Sequence, residues 1–217
     1  MSGARMAELL FDEADAISTR ERLVISALQA FSSTGYDGVS VREVERACGV
    51  NRGLIAYHFG SKEELWRACI DLLMAKFHEE MTKYRGVLRV VSPEERAKVL
   101  LKIYVSFASK HPEFFRLLIV HGADESSRME WLVKGLKETL NFFGEVTGSS
   151  SDSVTAEEEA MACYLFLGAA STIFAVPSQC QMLFGVDPRD PEFIERYTDV
   201  VASFGFYDPR PLGGKPS

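Results

Sequence analysis

Residues 40–66 read SVREVERACGVNRGLIAYHFGSKEELW, and the first twenty of them decide the fold. Val41, Val44 and Cys48 fall at spacings of three and four, the apolar stripe of one short helix. Ser40 stands at its N-cap position, and Glu43 is placed to complete a capping box. Gly49 supplies the left-handed conformation that ends a helix tightly. Val50 plugs the corner, and Asn51 is expected to cap a second helix that turns Ile55 and Phe59 inward. Two short amphipathic helices around a glycine corner make a helix-turn-helix motif over 40–59, whose second helix enters the DNA major groove.

With Val50, Ile55 and Phe59 turned inward, the second helix presents Asn51, Arg52, Leu54, Tyr57 and His58 outward. Arginine donates two hydrogen bonds to a guanine edge, asparagine pairs with adenine, and leucine packs on a thymine methyl. Gly53 would let the backbone approach the duplex closely. The free N–H groups of a helix starting at Asn51 suit a phosphate. For any one of these residues alone, a solvated helix face with an ordinary cap is the competing reading.

From Thr19 to about Trp66 the chain resembles the DNA-binding domain of the TetR (tetracycline-repressor) family of bacterial regulators. The resemblance rests on TRERLVISALQAFSSTGYDGVSV, then GVNRG, then YHFGSKEELW, in order and spacing. It implies a DNA-facing set of Ser40, Asn51, Arg52, Gly53, Leu54, Tyr57, His58 and Lys62. Lys62 resembles a phosphate-contacting lysine of the family, with a plain surface lysine as the alternative. Two positions depart from the family pattern. Ala56 replaces the first of two aromatics, which shifts anchoring onto Tyr57 and His58. Glu45 replaces a small alanine, so either the helix pair splays slightly or Glu45 leans out to water.

The expected fold is all-α. A three-helix helix-turn-helix domain over 18–78 is joined by a connecting helix to a C-terminal helical domain for ligand binding and dimerisation over 79–206. Residues 1–17 and 207–217 are expected to be flexible termini, and GSSSDS at 148–153 a flexible loop. Thr19 opens the first helix, with Leu23, Val24, Ala27, Leu28 and Phe31 on one side and an end near Gly35. Ser61 caps the connecting helix, with Glu64 in a capping box, and that helix runs to about Tyr84. Ser92–Pro93–Glu94–Glu95 opens a helix to Lys110. Further helices are expected from Pro112 to Gly122, from Asp124 to Val146 with Trp131, Leu132, Leu136 and Leu140 inward, and from Pro191 to Phe204. The helix from Glu157 to Val176, capped by Thr155 and Glu158 and ended by Pro177, is apolar nearly all round and should be buried on several sides.

That apolar helix is either the centre of a monomeric bundle or one half of a two-fold interface. The resemblance implies the second: pairing with the last helix, through Phe193, Ile194, Tyr197, Val200 and Val201, in a homodimer. Two readers about one helical turn apart, roughly 34–36 Å, would then engage a palindromic double-stranded DNA operator. The resemblance also implies a small-molecule effector between the aromatic helices, with Tyr104, Phe107, Phe114, His121, Trp131 and Phe142 as candidate pocket residues. Effector binding would release the protein from DNA. A DNA-binding regulator without an effector, controlled by a protein partner or by concentration, is the alternative.

The net charge of −7 is unevenly placed. Residues 18–90 hold 11 Lys or Arg against 9 Asp or Glu, whereas 91–217 hold 12 against 18 and 1–17 hold 1 against 4. The slight positive excess lies where phosphate would be met. Cys48, Cys69, Cys163 and Cys180 are too far apart for a metal-binding pair and read as reduced, mostly buried thiols; a redox sensor is the alternative. No HExxH spacing, P-loop, GxSxG or GxGxxG occurs, so no enzyme, cofactor or metal site is expected. No apolar run approaches the roughly 18 residues of a membrane span, and the expected location is cytoplasmic.

Overall fold

The computed structural model describes residues 18–121, 126–147 and 155–203. All regular structure among the described residues is helical: α1 (Thr19–Gly38), α2 (Val41–Ala47), α3 (Leu54–Phe59), α4 (Lys62–Lys83), α5 (Arg85–Val90), α6 (Pro93–Lys110), α7 (Pro112–His121), α8 (Ser127–Thr147), α9 (Ala156–Ala175), α10 (Pro177–Phe184) and α11 (Pro191–Ser203). The expected flexible segments 1–17, 148–153 and 207–217 lie outside the described residues. The chain divides into two compact units inside α4, between Cys69 and Ile70.

In the N-terminal unit, α1 starts at a capping box not singled out in the sequence, Ser18 with Glu21, although it has the same pattern as the later ones. The Ser18 hydroxyl accepts from the Glu21 N–H (3.2 Å), and the Glu21 carboxylate accepts from the Ser18 N–H (2.9 Å). The helix is interrupted at Gly35 (φ 73°) and resumes for one turn to Gly38. Leu23, Ala27 and Phe31 are fully buried, together with Leu65, Trp66 and Cys69 from α4, and Val44 and Ile55 from the two short helices. Each such large side chain contributes about 1.5–3 kcal/mol relative to exposure. The Cys69 thiol donates to the Val24 carbonyl (3.4 Å), and burial pushes its pKa up, as expected of a structural thiol.

The C-terminal unit is a bundle in which α6 packs against α7, α8, α9 and α11, and α7 against α9. The helix starts follow their predicted signals. Ser92 with Glu95, and Thr155 with Glu158, both form reciprocal capping boxes. Side chains close the far ends: Arg116 Nε donates to the Ala175 carbonyl at the end of α9 (2.7 Å), and Arg96 Nε to the Leu88 carbonyl of α5 (2.7 Å). Gly135 of α8 lies so close to α4 that a Cβ there would sit 3.1 Å from Met74 Cγ. Two short helices, α5 and α10, go beyond the sequence expectation. Pro177 does end α9, and it also occupies the first turn of α10, with a bend of 74° between them.

Two burial expectations fail. Leu140 is 43% exposed, whereas Leu132 on the same helix is buried. The apolar α9 is not enclosed on several sides: Met161, Tyr164 and Leu165 are exposed, with Tyr164 at 76%. Its neighbours cover only the face that carries Ala170, Ser171, Phe174 and Ala175. On α11, Val201 is buried and Tyr197 donates its hydroxyl to the Ala169 carbonyl, while Val200 is 52% exposed.

The capping boxes fix an acid response. Hydrogen bonds from the capping residues hold the carboxyls of Glu21, Glu95 and Glu158 below the ordinary range. A depressed folded-state pKa contributes stability above the unfolded value, near 4.3, and that contribution is lost as pH falls through the folded value. The protection of the Ser18, Ser92 and Thr155 amides, which donate to those carboxylates, should therefore fall below about pH 4 before that of the core amides of α1 and α6 does, a sequence that NMR-detected hydrogen exchange would reveal.

Candidate nucleic-acid interface

The exposed corner between α2 and α3 is built on a buried base. Val44 and Cys48 on α2, and Ile55 on α3, are buried, while Val50 and Phe59 are half-buried. Arg22 of α1 locks the corner from below: its guanidinium donates to the Cys48 carbonyl (2.5 Å), and the Cys48 thiol donates back to the Arg22 carbonyl (3.4 Å). That reciprocal pair supplies a donor to a carbonyl at the C-terminus of α2, where carbonyls otherwise lack partners. Gly49, at φ 65°, ends the helix as its position indicates.

The caps differ from the expectation. Ser40 occupies the N-cap position of α2, yet its hydroxyl makes no capping bond. The Glu43 N–H instead donates to the Ser40 carbonyl (3.0 Å), and the Glu43 carboxylate lies 4.0 Å from Arg46. Nor is Asn51 the N-cap of α3. Gly53 holds that position at φ 91°, a left-handed conformation natural to glycine, and a Cβ there would meet nothing within 4 Å. Gly53 is thus required by its backbone angle rather than by crowding. The helix consequently begins at Leu54, and Asn51 and Arg52 form the turn that precedes it.

Glu45 supplies the missing cap. It does not lean out to water, being 3% exposed, and its side chain crosses from α2 to the start of α3. Its Oε1 accepts from the Gly53 N–H (2.9 Å) and the Ile55 N–H (3.0 Å). The N–H groups expected to receive a phosphate at the start of this helix are therefore turned to a carboxylate of the chain itself. The signal was visible in the sequence as an acidic residue where alanine was expected.

The other residues expected to face DNA lie at the start of α2, in the turn between α2 and α3, on α3 and at the start of α4. Asn51, Arg52 and Gly53 are exposed, Leu54, His58 and Ser40 are half-buried, and Tyr57 is 81% exposed with its ring edge-on to His58 at 5.0 Å. Lys62 is held rather than loose: its ammonium sits 4.4 Å from the centre of the Tyr36 ring, a cation–π contact that orients it while leaving its charge. Arg20 stacks likewise over Phe59 at 5.0 Å. Tyr36 and Arg20 were not singled out by motif, because their roles come from ring contacts across helices.

The expected effector residues divide into two groups in the C-terminal unit. Tyr104, Phe107 and Phe114 are buried and cluster with Phe77, through ring contacts of 6.2 Å (Phe77–Tyr104), 4.9 Å (Phe77–Phe107) and 5.8 Å (Phe107–Phe114). Trp131 instead donates its indole N–H to Asp71 (3.0 Å), and Phe142 packs 6.0 Å from His78. All five adjoin or lie one ring away from α4 between Asp71 and His78. The side chain of His121 lies outside the described residues. The Tyr104 hydroxyl is hydrogen-bonded to Ser171 (2.7 Å), and burial pushes its pKa up. Among the described residues, no group of His, Cys, Asp and Glu is arranged to hold a metal ion.

Residues 23–69 match the sequence model for bacterial regulatory proteins of the tetR family. The chain is 29% identical over 100 residues to the transcriptional repressor NicS of Pseudomonas putida, a stretch covering 46% of each. The chain spans about half the length of the curated relatives it matches. Its fold is similar to that of AibR, solved with isovaleryl coenzyme A and operator DNA (TM-score 0.63, 18% identity, covering 86% of this chain and 97% of that one). It is also similar to FadR of Bacillus subtilis, solved with stearoyl-CoA (TM-score 0.59, 14% identity, covering 84% and 97%). The sequence relatives are named as transcriptional regulators, which points to a regulator rather than an enzyme.

Replacing Lys62 with alanine should weaken binding to every duplex alike and lower the slope of log affinity against log salt by about one unit. Binding titrations on two unrelated duplexes over a salt series measure both quantities; an unchanged slope would make Lys62 an ordinary surface residue.

Proposed function

We propose, from the membership of this chain's N-terminal domain in the TetR family of bacterial regulatory proteins, that the protein is a cytoplasmic, sequence-specific transcriptional repressor acting as a homodimer on operator DNA. The observation that carries the reading is the exposed Asn51–Arg52 turn, presented by a buried framework that fixes its backbone. Those two side chains have the donor and acceptor sets that read adenine and guanine edges. Ser40, Lys62, Tyr57 and His58 are assigned to the phosphate backbone, which positions a protein without specifying sequence.

A homodimer is supported by the uncovered apolar side chains Met161, Tyr164 and Leu165 on α9 and Val200 on α11. Exposed apolar side chains gathered on one helix are what an interaction site presents. A second copy presenting the same face would bury it with two-fold symmetry, which suits a palindromic operator.

We assign a small-molecule effector to the aromatic region beside α4, among Tyr104, Phe107, Phe114, His121, Trp131 and Phe142. The rings of this region adjoin α4 residues 71–78, and the same helix begins at Lys62 in the DNA-reading unit. A ligand that separates the rings would thus act on a helix shared with the reader. Acyl-CoA thioesters are the first class to test, since AibR and FadR were solved with them.

Arg52→Ala should reduce affinity for a selected operator by roughly 1–3 kcal/mol and leave scrambled DNA nearly unaffected. Equal losses on both duplexes, measured at one salt concentration, would reassign Arg52 to the backbone. For the effector, linkage demands reciprocity: coupling of about 1–3 kcal/mol corresponds to a 5–150-fold change in either affinity. Isothermal titration of short- and long-chain acyl-CoAs, with and without saturating operator, tests this. Equal affinities in both conditions would remove the release mechanism for that ligand.

A further inference from the structure

We infer that Glu45 is a positioning residue for DNA reading: its buried carboxylate fixes the Asn51–Arg52–Gly53 turn and the first turn of α3 in base-reading geometry, and its charge stands where a DNA phosphate would otherwise bind that helix start. The inference rests on the assignment of this corner to DNA reading.

Glu45 ties the corner at both ends. Its backbone carbonyl accepts from the Val50 N–H (3.1 Å), closing the turn that leaves α2. Its side chain crosses to α3 and accepts from the Gly53 and Ile55 N–H groups (2.9 and 3.0 Å). Asn51 and Arg52 lie between these anchors, so their backbone is held on both sides by one residue. The left-handed Gly53 (φ 91°) forms part of the same arrangement, because its N–H and that of Ile55 converge on a single oxygen.

The chemistry favours this role over a passive buried one. A carboxylate taken out of water is costly unless hydrogen bonds compensate for its lost hydration. Here the compensation is two N–H donors at a helix start, where a negative charge is also favoured by the helix dipole. An alanine at position 45 would leave both N–H groups without this acceptor, and the Ile55 bond is in a buried setting. An unmade buried bond costs more than an ordinary one contributes. The turn would then rearrange to recover a partner, and Arg52 would move with it. A carboxylate at the start of α3 also repels phosphate, so backbone contacts must come from the flanks, at Lys62, Ser40 and Tyr57.

The test uses the full chain and an operator selected from a randomised duplex pool by the wild-type protein. Wild-type protein that enriches no sequence would sink the DNA-reading assignment itself, separately from the role of Glu45. Given an operator, Glu45→Ala and Glu45→Asp should lower the ratio of operator to scrambled affinity by about tenfold, the scale of one base contact. Glu45→Gln should keep the ratio, since its amide oxygen accepts both N–H groups, and should tighten binding to scrambled DNA by removing a negative charge. An alanine variant with the wild-type ratio, or a glutamine variant that falls with alanine, overturns the proposal. Loss of thermal stability with an unchanged ratio in the folded protein would mark a purely structural role and overturns it too. Where the alanine variant does not fold, hydrogen exchange of the wild type decides: Gly53 and Ile55 amides should be protected relative to Arg52, and exchange as fast as Arg52 overturns the cap.

Discussion

A six-residue helix has no stability of its own in water, because nucleation fixes several residues before any hydrogen bond rewards it. Helix α3 has that length, and the rest of the N-terminal unit answers to this constraint. Ile55 is buried in the core of the unit, Glu45 accepts from two N–H groups at the helix start, and Arg22 with Cys48 fixes the helix before it. None of these contacts lies on the exposed face. The buried side spends its interactions on holding one short helix rigid, so that Asn51 and Arg52 need not be ordered at the moment of binding. Preorganisation of this kind lowers the entropic cost of recognition.

How much of this was legible in the sequence follows from the range of each interaction. Capping boxes at Ser92 and Thr155 are written within four residues, and both form as read. Gly49 is read correctly for the same local reason. Ser40 shows the limit: the pattern is present, but Glu43 lies near Arg46 and the box is not made. Asn51 fails differently. A polar residue before an apolar run looks like a cap, yet the real acceptor comes from Glu45 on the previous helix. The Lys62–Tyr36 contact is also a pairing across elements. Periodicity carries no information about such pairs, whereas it gave the longer helices and the buried Leu23, Val24, Ala27, Leu28 and Phe31.

The C-terminal unit carries a related lesson about apolar helices. A helix that is apolar nearly all round implies burial on several sides, but burial can be completed by another chain rather than by the same one. In α9 the two halves behave differently. Ala170, Ser171, Phe174 and Ala175 are enclosed, while Met161, Tyr164 and Leu165 nearer the N-terminus are uncovered. Leu140 on α8 was read inward from a helical stripe, and the stripe was one position too wide. The missed α5 and α10 are six and eight residues long, too short for a periodic pattern to declare itself.

Electrostatics then sets what kind of DNA binder this chain can be. The reading segment has only a small excess of positive charge within a chain of net charge −7, so long-range attraction to the duplex is weak. Sequence-independent affinity grows with the number of neutralised phosphates, and few cations are available here to neutralise them. Glu45, one of the acidic residues already in that balance, places its negative charge beneath the recognition helix, in the position best suited to an anion. The proposed regulator therefore gives up non-specific affinity and depends on well-placed base contacts, doubled by a second copy on the same operator. Such a design makes the ratio of specific to non-specific binding large relative to the absolute affinity, and that ratio governs occupancy when competing sites are numerous. It also makes the protein easy to release, because a modest loss of alignment between two readers removes base contacts that no strong backbone attraction replaces.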